Sequence, residues 1–137
     1  MLMTMALATA SLLTGYADGE SQTGDVQLIS IERNVIERVN NQRYRRGLRP
    51  LRIDRRLMRT ARRHAAWMTR NRRLQHTREP VGENIAMGQR SSGQAVGDWM
   101  DSPGHRANIL SRRYSRVGAA AYRTDNGTIY WCMQFLH

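Results

Sequence analysis

Apolar residues recur at helical spacing from Leu28 onward. Leu28, Ile31, Val35, Ile36 and Val39 fall on one stripe. Gly47 follows them as a residue suited to the left-handed turn that closes a helix. Leu48-Arg49-Pro50-Leu51 reads as an extended connection, because proline biases its predecessor away from helix. Asp54 is placed to cap a second helix. Its stripe is Leu57, Met58, Ala61, Ala65 and Met68, and its end falls near Asn71. Leu74 to His76 reads as a short extended piece, and Gly82 to Ala86 follows a proline turn. Ser91 or Ser92 caps a third helix carrying Ala95, Val96, Trp99 and Met100, which Pro103-Gly104 stops.

After Tyr114 the period changes to 2. Val117 to Tyr122 and Thr128 to Phe135 read as strands joined by a Thr124-Asp125-Asn126-Gly127 hairpin. Ile129, Trp131, Met133 and Phe135 share one face of the last strand. Small residues on its partner leave room for a helix to pack closely. Helices first and paired strands last predict an α+β layered fold.

The ends and the composition narrow the picture. Residues 1–17 are apolar and small but lack a basic opening, so they read as a degenerate or truncated secretion signal. Residues 18–27 are polar and glycine-rich, a flexible lead-in, and residues 28–137 form the domain. No stretch is long and apolar enough for a clear membrane span. One cysteine, Cys132, excludes an internal disulfide and reads as a buried inert thiol. All 22 basic residues are arginine and the net charge is +11, which favours anionic partners such as envelope polymers. Arginine is spread along the whole chain without interleaved aromatics, so nucleic acid is disfavoured.

Chemistry concentrates in two polar islands, His76 to Ala86 and Trp99 to Leu110. His76, Glu83 and His105 are the candidate site. Two neutral imidazoles and a carboxylate suit zinc or another divalent cation, and without metal they suit proton exchange near neutral pH. Asn84, Trp99, Ser102, Arg106 and Asn108 are supporting residues. Trp99 belongs to the core, and Arg106 and Asn108 brace the loop. His64 reads as a packed helix residue rather than a ligand.

Several segments share an order and spacing that resemble one superfamily. They are Asn41 with Arg43, Leu51 to Asp54, Ala61 to Ala65, His76, Gly82 to Ala86, Trp99, Ser102 to Leu110, Val117-Gly118 and Tyr130-Trp131. The chain resembles the SCP-like extracellular domain of the cysteine-rich secretory protein, antigen 5 and pathogenesis-related class 1 superfamily, over about Ile31 to Phe135. The resemblance implies a three-layer α-β-α sandwich with a central antiparallel sheet. It also implies a cleft lined by two histidines and acidic residues, with His76 and His105 as the histidines and Glu83 as one acid. Where many eukaryotic members carry a second glutamate, this chain has Ser102. The implied metal set is therefore His76 and His105 with a hard ligand missing.

The expectation is a protein of the cell envelope or extracellular space whose cleft binds a small molecule, a lipid or an anionic envelope component, with zinc or a similar ion as candidate cofactor. The alternatives are a metal-dependent hydrolase with Glu83 as base, and an electrostatic binder of anionic polymers.

Overall fold

The computed structural model describes residues 28–137. The signal segment and the lead-in expected over residues 1–27 lie outside the described residues. The elements are α1 (Ser30–Tyr44), β1 (Arg52–Ile53), α2 (Arg55–Asn71), β2 (Gly82–Met87), α3 (Ser92–Asp101), α4 (Pro103–Ile109), β3 (Arg116–Arg123) and β4 (Ile129–Leu136).

The capping chemistry matches the sequence. The Asp54 side chain accepts the Leu57 amide at 2.9 Å, and Ser91 accepts that of Gln94 at 3.1 Å. Gly47, at φ +68°, turns the chain after α1, and the Leu48 amide donates back to the Arg43 carbonyl.

The sheet order is β1-β3-β4-β2. The hairpin pairs β3 with β4, and β2 pairs antiparallel on the other side of β4. The sheet is therefore antiparallel over its three long strands. Two-residue β1 adds parallel to β3, which makes the whole sheet mixed. Nothing in a two-residue run marks it as a strand in advance; pairing with Arg116 and Val117 creates it.

Period 2 sorts β4 between two layers. Ile129, Trp131, Met133 and Phe135 face α1, α3 and α4, where they join Val35, Val39, Ala95, Trp99 and Ile109. Tyr130 and Cys132 face α2, where they meet Ala61, Ala65 and Met68. Helices thus cover both faces, giving an α-β-α sandwich. Gly118 lets α2 lie directly on β3: a Cβ there would stand 2.2 Å from the Leu57 backbone carbon and 2.4 Å from the Met58 nitrogen. Buried Glu32 clamps the layers, taking Arg62 on both oxygens at 2.7 Å.

Two expectations change. Residues 73–77 carry no regular structure, so Leu74 to His76 is not a strand. Pro103-Gly104 ends α3 but also starts α4, because a proline at the first helical position gives up no helical hydrogen bond. His105 and Arg106 therefore lie on a short helix and not in a loop.

Candidate functional site

β2 is an edge strand, and its pleat sends neighbouring side chains to opposite faces of the sheet. Glu83 points to the α2 side and Asn84 to the α4 side. Each anchors one of the two histidines.

Glu83 is buried and fully engaged. One carboxylate oxygen accepts from His76 Nδ1 at 2.8 Å and from the Thr77 amide at 2.9 Å. The other accepts from Gln134 Nε2 at 3.0 Å and lies 3.6 Å from Cys132 Sγ. Gln134 stands opposite Glu83 in the β2–β4 register, and its own carbonyl oxygen accepts from Thr60 Oγ1 on α2 at 2.6 Å. His64 on α2 completes the surround. Its Nε2 donates to the Gln75 carbonyl at 2.6 Å and stands 4.0 Å from Glu83. His64 is thus a satisfied helix residue packed beside the acid, with its Nε2 already committed. Burial and the Glu83 carboxylate push the Cys132 thiol well up, so it stays protonated and inert.

The His76 side chain is 61% exposed. Glu83 accepts its Nδ1 proton, which leaves the lone pair of the neutral ring on the outward Nε2.

His105 is held from the other face through its backbone. Asn84 Nδ2 donates to the His105 carbonyl at 3.0 Å. Asn108 Nδ2 donates to Asn84 Oδ1 at 2.9 Å and to the Glu83 carbonyl at 3.2 Å. Partial burial, and then the nearby His76, lower the His105 pKa below the ordinary histidine value. The His105 imidazole is therefore neutral at pH 7 and within electrostatic reach of His76. His76 and Glu83 are thus bonded on the α2 side of β2, while His105 is tied to the same strand from the α4 side through its carbonyl.

The supporting residues divide. Trp99 is buried, and its Nε1 donates to the Ile85 carbonyl at 3.1 Å, fixing α3 to β2. Asn84 and Asn108 fasten α4. Ser102 joins α3 to α4, with its carbonyl accepting the Arg106 amide at 2.8 Å. The Arg106 side chain is exposed and braces nothing among the described residues.

A groove of about 420 Å³ adjoins His76, between α2 and residues 75–79. His64 and Trp67 form its floor, their rings parallel within 6° and 5.8 Å apart. Arg63 and Glu79 pair across it at 3.0 Å, and His105 lies outside its lining. Trp67 and Gln134 are functional-site residues that sequence reasoning missed. Trp67 falls off the apolar stripe of its helix, and Gln134 is the one polar side chain within the apolar run of β4; both departures are visible signals.

The donor set bears on a metal. Among the described residues no three His, Cys, Asp or Glu side chains group to hold an ion. Glu83 spends its oxygens on hydrogen bonds and orients His76 instead of facing an ion or acting as an open base. That leaves two imidazoles, short of the three protein ligands usual at a resident catalytic zinc.

The profile of the CAP, cysteine-rich secretory protein family matches residues 36–135. The YkwD protein of Bacillus subtilis (strain 168) is 32% identical over 122 residues, covering 77% of this chain and 46% of that protein. The chain thus spans about half the length of that relative. Pathogenesis-related protein 1 of Arabidopsis thaliana is 34% identical over 113 residues, covering 69% of this chain and 70% of that protein. Among solved structures, an outer surface protein from Borrelia burgdorferi superposes with a TM-score of 0.70 at 19% identity, over 78% of this chain and 94% of that one. With the sandwich and the Gly82-Glu83-Asn84 strand in place, this chain belongs to the CAP (cysteine-rich secretory protein) family.

Proposed function

We propose that this chain is an extracellular or envelope binding module whose cleft takes a small ligand through the neutral imidazoles of His76 and His105. The observation that carries this reading is the bond from His76 to buried Glu83 at 2.8 Å. It aims a lone pair outward, within electrostatic reach of a second imidazole whose pKa burial lowers. Such a pair accepts hydrogen bonds from a ligand's hydroxyl or amide groups. The Trp67–His64 floor adds an apolar surface for a sugar, sterol or acyl portion of that ligand. The family and the outer-surface neighbour support the location. Among the described residues no helix is long and apolar enough to cross a membrane.

A divalent cation such as zinc is one occupant of this pair. His76 Nε2 and an imidazole nitrogen of His105 would hold it, with water completing its shell. When bound it would supply a Lewis-acidic point for an anionic group of the ligand. With two protein ligands it exchanges readily. No observation favours hydrolysis, because Glu83 is committed to its partners.

Zinc calorimetry on the wild-type chain and on His76→Ala with His105→Ala tests the pair. Weak, saturable binding that vanishes in the double variant is expected. Equal heats from both proteins would remove the two imidazoles as a binding pair.

A further inference from the structure

A second groove, of about 700 Å³, shares no lining residue with the first and is built around a buried arginine. Arg43 on α1 is 2% exposed. Its guanidinium donates to the carbonyls of Arg49 at 2.8 Å, Ile109 at 2.9 Å, Ser111 at 2.8 Å and Tyr114 at 3.3 Å. These bonds stitch the segment after α1 to the segment before β3, and the groove runs between those two walls. Among the described residues no carboxylate pairs with Arg43, so its charge is balanced only by carbonyl dipoles.

Arg49, Arg52 and Arg112 stand on the walls. All three are exposed, and their guanidiniums take no hydrogen-bond or ion-pair partner among the described residues. No acidic residue lines the groove. Asp54, close to Arg52 in sequence, is occupied by Arg116 at 3.1 Å. Many exposed arginines of this chain lack an acid partner among the described residues, and Arg62–Glu32 and Arg63–Glu79 are two pairs that form. Here the chain holds several unpaired guanidiniums around one pre-formed concavity.

We propose that this groove is an anion site for a ligand carrying several phosphate groups along a chain. Guanidinium forks match phosphate oxygens in pairs, and each remains charged at any physiological pH. A single phosphate, only a few water molecules in size, would leave most of the volume empty. The concavity fits a strand of linked phosphates rather than the flat face of a bilayer. The site is independent of the histidine cleft.

Calorimetry of the full chain with tripolyphosphate at physiological salt is the test. One saturable site is expected. Changing Arg49, Arg52 and Arg112 together to Gln weakens binding by about tenfold or more. Changing the exposed Arg59, Arg70 and Arg90 to Gln removes the same charge elsewhere and weakens it by less than about threefold. Equal losses from the two triple variants would reduce the effect to net charge and overturn the site. So would citrate binding as tightly as tripolyphosphate, or binding confined to phosphatidylglycerol vesicles. Amide shifts in the wild-type protein give a readout that needs no variant. Perturbations centred on Leu48, Arg49 and Ser115 support the groove, and perturbations centred elsewhere refute it. His76→Ala with His105→Ala leaves tripolyphosphate binding intact, which separates this site from the cleft.

Discussion

Glu83 accepts the Nδ1 proton of His76 at 2.8 Å, so a buried acid steers an exposed imidazole. Removing the acid strands its other donors as well, Thr77 N–H and Gln134 Nε2. Glu83→Ala is expected to cost about 2–4 kcal/mol in a urea melt. Nitrogen-15 NMR of wild-type His76 at mildly alkaline pH should show the Nδ1-protonated tautomer, and the variant should lose that preference. An Nε2-protonated His76 in the wild type would contradict the geometry.

His105 gives the fold a pH dependence of defined sign. Burial, then His76, hold its pKa below the ordinary 6.5. Between that lowered value and 6.5 the unfolded chain binds the proton more readily than the folded one. Stability therefore falls as pH drops through this window and levels off below it. Thermal melts between about pH 7.5 and pH 5 should show a steeper decline for the wild type than for His105→Gln. Parallel curves would mean that His105 is not the group responsible.

Gly118 is where α2 touches β3. An alanine Cβ there meets Leu57 backbone at 2.2 Å, and backbone within a helix cannot swing aside as a side-chain tip can. Gly118→Ala is expected to destabilise by about 1–3 kcal/mol or more, although alanine would ordinarily favour a strand over glycine. Denaturant melts check it, and an unchanged midpoint would mean that α2 shifts freely.

Asn84 fastens α4 by its bond to the His105 carbonyl and is itself gripped by Asn108. Asn84→Ala leaves both partners short of a bond and should cost about 1–3 kcal/mol. Hydrogen exchange should then quicken along α4 and leave α2 unaffected. Uniform quickening across both helices would indicate a general loss of stability and not a released fastening.

Much of this fold is legible because its signals are local. The stripes of α1 and α2, the caps at Asp54 and Ser91, and the hairpin at residues 124–127 each depend on a few consecutive residues. β1 is not legible, since it exists only through pairing with β3. Pro103 reads as a stop because the same residue that ends one helix is well suited to begin another. The motif residues His76, Glu83 and His105 stand out in the chain, but the role of Glu83 does not. That role rests on Gln134 lying opposite it across β2 and β4, a partner 51 positions away in the chain.

Glu83 and Asn84 are consecutive, yet they serve opposite layers. The spacing of the imidazoles is thereby gauged by the corrugation of one strand rather than by the length of any loop. Inserting or deleting a single residue in β2 would exchange which layer receives the acid and which the amide, and both fastenings would fail at once.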